Sequence, residues 1–168
     1  NERVEFIAVD PQNRYLYQSG RTEDSHVGFV IRTDLDGNNP QTLLDGLSGV
    51  RYGFAIDPAN NKMYFGANGL RSANLDGSNF GLFYGFPSPI NPPTQGPYYP
   101  NDIVIDQLNS RLFFSDAVSF DGIKSIQLDG SSPTDLKSFG PAGNFNDSSA
   151  IHMAYDSINN LLYTTRFR

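Results

Sequence analysis

Hydrophobic and polar residues alternate along this chain in short bursts, and one burst recurs four times. It reads Phe6-Ile7-Ala8-Val9-Asp10, Phe54-Ala55-Ile56-Asp57, Ile103-Val104-Ile105-Asp106 and Met153-Ala154-Tyr155-Asp156. A short polar turn and a second apolar run follow each copy: Tyr15-Leu16-Tyr17, Met63-Tyr64-Phe65, Leu112-Phe113-Phe114 and Leu161-Leu162-Tyr163. A second phrase, Leu-Asp-Gly, closes three of the units, at Leu35-Asp36-Gly37, Leu75-Asp76-Gly77 and Leu128-Asp129-Gly130. The landmark aspartates Asp10, Asp57, Asp106 and Asp156 return every 47 to 50 residues. No stretch carries the 3.6-residue period of an amphipathic helix. Short strands recurring at this period predict an all-β chain built as propeller blades.

Each full unit reads as four strands. In the first these are residues 5–10, 14–19, 28–34 and 42–44, with Asp10-Pro11-Gln12-Asn13 as a turn between the first two. Proline suits the first inner position of such a turn and asparagine the later ones. The units span approximately residues 5–45, 50–85, 101–139 and 150–168, and the last holds two strands. The whole chain, residues 1–168, is thus a partial propeller of about three and a half four-stranded blades, whose open sheet faces call for further blades or another chain. Residues 86–100 break the rhythm with 6 of the 11 prolines. They read as a stiff polyproline-like spacer or as a rigid loop offering Phe86, Tyr98 and Tyr99 to a protein partner.

Composition narrows the partners. A net charge of −6 with 18% charged residues argues against nucleic acid or an anionic membrane, since both need a basic face. No apolar run approaches the ~20 residues of a membrane span. The chain has no cysteine, which excludes disulfides, thiolate metal sites and cysteine nucleophiles. The 13 Phe and 9 Tyr fall mostly in the repeat strands, where they serve as packing between sheets. Asn146-Asp147-Ser148 is the one glycosylation sequon, in a polar, glycine-containing stretch that reads as an exposed loop.

The repeats resemble the YWTD repeats of low-density-lipoprotein-receptor-type six-bladed propellers, the class B repeats of those receptors. Pro100-Asn101-Asp102-Ile103-Val104-Ile105-Asp106 matches the opening of such a blade. Leu112-Phe113-Phe114-Ser115-Asp116 stands at the L-Y-W-T-D position. Ile123 to Gly130 follows I-x-R-x-x-L-D-G, with Ser125 where arginine is usual; the first unit keeps it as Arg32. The resemblance implies a six-bladed ring and a secreted or extracellular, non-enzymatic module that binds proteins. A related expectation is a building block of an extracellular assembly.

Chemistry is sought where the innermost strands begin. Five residues before the landmark aspartates stand Glu5, Tyr52, Asn101 and Ile151; four before stand Phe6, Gly53, Asp102 and His152. Glu5, Asn101, Asp102 and His152 are therefore the candidate groups at the mouth of a central channel. Glu5 and Asn101 match in type the oxygen ligands with which propellers of the gluconolactonase or regucalcin type hold a divalent cation. This makes a Ca²⁺-dependent hydrolase the alternative to a binding module with no cofactor. Asp102 and His152, at matching positions in consecutive units, are close enough in the repeat to pair, but no nucleophile accompanies them. No catalytic residue is assigned. Leu-Asp-Gly reads as a turn rather than a calcium loop, because the twelfth position counted from Asp34 is Asp45 and not glutamate.

Overall fold

The computed structural model describes residues 2–47, 50–67, 69–84, 100–116, 122–138 and 150–166. Fourteen strands form three four-stranded sheets and one two-stranded sheet, all antiparallel and each ordered as the chain runs. The first sheet is β1 (Glu2–Asp10), β2 (Tyr15–Thr22), β3 (Gly28–Asp34) and β4 (Gln41–Leu47). The second is β5 (Val50–Asp57), β6 (Lys62–Ala67), β7 (Leu70–Asn74) and β8 (Gly81–Tyr84). The third is β9 (Pro100–Asp106), β10 (Arg111–Asp116), β11 (Gly122–Gln127) and β12 (Thr134–Ser138). The fourth pairs β13 (Ala150–Asp156) with β14 (Leu161–Arg166). One turn of 3-10 helix, Pro58–Asn60, is the only helical segment among the described residues.

The four recurrent turns share one device. Each landmark aspartate accepts hydrogen bonds from the backbone N and the side-chain Nδ2 of the asparagine three residues on: Asn13 on Asp10, Asn60 on Asp57, Asn109 on Asp106 and Asn159 on Asp156. The next residue in each turn, Arg14, Asn61, Ser110 or Asn160, takes a left-handed φ of 51 to 58°. Asp10, Asp57 and Asp106 are fully buried, so these bonds satisfy carboxylates removed from water. Two of them also reach the next sheet: Gln107 Nε2 donates to Asp57 at 2.7 Å and the Tyr155 hydroxyl to Asp106 at 2.9 Å.

The inner strands β1, β5, β9 and β13 lie side by side, and the sheets pack face to face in three joints. Strand alternation decides which side chain enters which joint. Residues one and three before a landmark aspartate face the preceding sheet. Phe54 and Ile56 meet Tyr17 and Val30; Ile103 and Ile105 meet Tyr64 and Leu70; Met153 and Tyr155 meet Phe113 and Ile123. Residues two before it face the following sheet, as Ala8, Ala55 and Val104 do. The aromatic seven positions after it, Tyr17, Tyr64 or Phe113, forms the other half of each joint.

This geometry explains a departure from the sequence pattern. The repeat predicts Ile7 to be buried like Phe54, Ile103 and Met153, yet Ile7 is 66% exposed. Ile7 and Val9 are the preceding-sheet residues of the first sheet, and no described sheet stands before it. Tyr163, the equivalent of Tyr17, Tyr64 and Phe113, is 57% exposed for the same reason at the other flank.

Candidate functional site

The four groups placed at the channel mouth have different surroundings. Glu5 accepts a hydrogen bond from Arg21 Nε at 3.0 Å, and Arg3 Nε lies 3.7 Å from the same oxygen. Asn101 is half-buried on β9. Asp102, two residues behind Val104 on the same strand face, points into the third joint. Its Oδ1 accepts from Ile103 N at 2.9 Å and its Oδ2 from Met153 N at 2.6 Å, so it straps β9 to β13. Burial pushes the Asp102 carboxyl up; the Met153 and Ile103 amides and the charge of His152 oppose that shift in part. His152 is the equivalent of Asp102 in the fourth sheet and is mostly exposed on its open flank. Its Nδ1 is 3.9 Å from Asp102 Oδ2, an ion-pair distance with no hydrogen bond between them.

Two arginines flank the Glu5 carboxylate, and Asp102 accepts from two backbone amides. Among the described residues no group of three His, Asp or Glu is placed to hold a metal. Between the inner strands lies a cavity of about 550 Å³, walled by residues that include Ala8, Ala55, Val104, Ile105, Gln107 and Tyr155. All its lining side chains are neutral, and most are apolar.

Phe86, Tyr98, Tyr99 and Asn146 lie outside the described residues, as do the side chains of Tyr52 and Ile151. His26 sits in the tight β2–β3 turn, at φ 54° with its amide on Thr22 O. The Leu-Asp-Gly segments are turns: Asp34 accepts from Asp36 N and Asn38 N, and Asp76 and Asp129 each accept from the serine two residues on.

The polar groups least visible in the sequence lie in the joints. In the first joint, Arg32 on β3 stands directly across from Tyr17 on β2. Its guanidinium lies near enough to the Tyr17 hydroxyl to oppose part of the upward push of burial on that group, and 4.3 Å from the Tyr15 ring centre. In the third joint, Arg111 donates to Asp106 at 2.8 Å and to Asn160 at 3.2 Å, with its guanidinium 4.8 Å from the Phe113 ring centre. Arg32, the arginine kept by the first unit, and Asn109, three residues beyond a landmark aspartate, are the sequence signals of these groups.

Sheets of four antiparallel strands, inner strands side by side and faces packed in succession, are the arrangement of propeller blades. Solved structures show the same. The crystal structure of a nidogen/laminin complex matches with a TM-score of 0.78 at 18% identity, over 98% of this chain and 57% of that one. The crystal structure of the Niastella koreensis GH74 enzyme matches with a TM-score of 0.72 at 18% identity, over 97% of this chain and 26% of that one. The chain has a β-propeller fold.

Its blades also have curated relatives. The protein cueball of Drosophila simulans is 33% identical over 141 residues, and that of Drosophila grimshawi 31% over 140; each alignment takes in 78% of this chain. The alignments cover 20% and 22% of those relatives, so the chain spans about a fifth of the length of the curated relatives it matches. No family profile matches the chain. No helix among the described residues is long and apolar enough to cross a membrane.

Proposed function

We propose that the chain is part of a YWTD-like six-bladed propeller, outside the cell, that binds a protein partner and catalyses nothing itself. One observation carries this reading. The ionisable groups nearest the channel are engaged within the framework, Glu5 with Arg21 inside the first blade and Asp102 with the Met153 amide across to the fourth, while the channel wall is neutral. A hydrolase needs such groups free for water, metal or substrate. The likeness to the propeller found in the nidogen/laminin complex supports protein binding, and that complex supports an extracellular setting. The GH74 likeness shows that the same fold also accommodates an enzyme, so fold alone does not decide.

In this reading the contact surface draws on residues 86–100. Prolines there lower the entropy lost when Phe86, Tyr98 and Tyr99 settle on a partner, and aromatic residues concentrate binding energy. Asn146 carries an N-linked glycan. Calorimetric titration of the full chain with Ca²⁺ separates the two functions. Binding heat that vanishes in Glu5→Gln contradicts the non-enzymatic reading. Silence, together with loss of a purified partner's binding in Tyr98→Ala and Tyr99→Ala, supports it.

A further inference from the structure

The three joints share one plan and differ in where, or whether, a guanidinium lies beside the aromatic ring at their centre. In the first, the Arg32 guanidinium meets the Tyr17 hydroxyl and the field of Asp76 on the next blade. In the third, Ser125 stands at the Arg32 position across from Phe113, and Arg111 of β10 brings a guanidinium over that ring instead. In the middle joint the residue directly across from Tyr64 is Ser72, too short to reach into the space that an arginine occupies in the first. Lys62 does not replace it, because its ammonium is turned to Asn74 Oδ1 at 2.8 Å.

An open cavity of about 350 Å³ remains, lined by Asn60, Lys62, Tyr64, Ser110, Gln127 and Asp129, with Leu128. Tyr64 is 2% exposed, and its hydroxyl has no hydrogen-bond partner among the described residues. Burial, reinforced by the charge of Asp57, pushes that hydroxyl up to about 12. A buried hydroxyl facing a cavity with nothing to bond is the mark of an absent partner. Asp129, the counterpart of Asp76, lines the cavity from its exposed side, with one carboxylate oxygen accepting from Ser131 N.

We propose that the joint between the second and third blades is a socket for a guanidinium, an arginine side chain of the protein partner, which takes the place that Arg32 fills in the first joint. This deepens the protein-binding reading and rests on it for the source of the arginine. The guanidinium donates to the Tyr64 hydroxyl oxygen and to the Asp129 carboxylate, while the Ser110 hydroxyl and Gln127 amide oxygen offer further acceptors. Its planar fork suits acceptors spread around a cavity of this size better than the point charge of an ammonium. Lys62 weakens the attraction and Asp129 restores it, so the site favours a cation that brings several donors. Were the occupant an anion instead, Lys62 would be its main contact.

The test uses the full chain labelled with ¹³C at tyrosine rings and titrated with N-acetyl-arginine amide, N-acetyl-lysine amide and acetate. The expected result is a saturable shift of the Tyr64 resonance with the arginine amide, weaker with the lysine amide and absent with acetate. Asp129→Asn weakens binding by about tenfold, the size of one charge-assisted hydrogen bond. Ser72→Arg supplies the missing guanidinium from within, raises the melting temperature and abolishes the response. Three results overturn the proposal: no response of Tyr64 to the arginine amide, a response to acetate that Lys62→Gln removes, or a lowered melting temperature in Ser72→Arg. Binding of a purified partner separates the socket from the wider reading. If Tyr98→Ala abolishes that binding and Ser72→Arg leaves it intact, the binding module stands and the socket falls.

Discussion

Four donors converge on the buried carboxylate of Asp106: Asn109 through backbone and side chain, Arg111 and Tyr155. Two of them tie the third blade's turn to its own strand β10 and to the fourth blade. Among the described residues Asp10 accepts only from the Asn13 pair. Asp106→Ala is therefore expected to cost about 3 kcal/mol and Asp10→Ala about 1 kcal/mol in urea unfolding; equal costs would refute the inter-blade role. Burial raises the Asp106 carboxyl, but the bonds from Asn109, Arg111 and Tyr155 outweigh it and leave the group below its ordinary value. The stability this supplies is present above the unfolded value of about 3.9 and is lost as pH falls through the lower folded value. Asp106→Asn should accordingly flatten the acid limb of stability against pH below about pH 4. Tyrosines give the opposite limb. Tyr64 titrates near 12 when folded and near 10 when unfolded, so its contribution is complete below about pH 10 and disappears as pH climbs toward 12. Tyr64→Phe should be near neutral at pH 7 and resist alkali better. Tyr17→Phe, which removes the hydroxyl beside Arg32, should cost more than Tyr64→Phe in the same unfolding measurement.

At the scale of the element, the Leu-Asp-Gly turns look identical in sequence and differ in surroundings. Gly37, Gly77 and Gly130 have φ of 79°, 86° and 85°, the left-handed region that favours glycine. A Cβ on Gly77 would stand 2.4 Å from Leu43 O of the preceding blade, whereas one on Gly37 meets nothing within 4 Å. Gly37→Ala should thus cost only the backbone term, about 1 kcal/mol, and Gly77→Ala clearly more, read from thermal unfolding of the two variants. The strands themselves were plain in the sequence: the alternation and its aspartate punctuation mark β3 at Gly28–Asp34 to the residue, and place the inner strands to within a few positions. What alternation alone leaves unread is direction. Faces of these sheets look along the ring at the neighbouring blade, so Asp102, chosen as a mouth residue, spends its carboxylate on Met153 N. Nor does a repeat tell whether a residue has a neighbour at all, which is why Ile7 differs from Phe54. The socket at Tyr64 was half legible. Arg32 and Ser125 stood out as presence and absence of one arginine, but only the pairing of Ser72 with Tyr64 reveals what the absence leaves behind.

On the scale of the whole molecule, two apolar flanks stand open: Ile7 and Val9 on one, Leu161 and Tyr163 on the other. They are the two halves of a joint of the kind seen three times between blades. Residues 1–168 alone should associate through them, giving species larger than a monomer in sedimentation velocity, and Ile7→Asp should suppress the association. A single monomeric species in the parent protein would show that the flanks are covered otherwise. The joints also have a taper. Next to the axis the face toward the following blade carries Ala8, Ala55 or Val104, and one strand farther out it carries Tyr17, Tyr64 or Phe113. Small near the hub and large toward the rim, each joint is a wedge, and side-chain volume sets the angle through which one blade turns from the next. Curvature is then a packing quantity. Widening the narrow end, as Ala55→Leu does, opens the arc, and the number of blades that closes the circle follows from methyl groups near the axis.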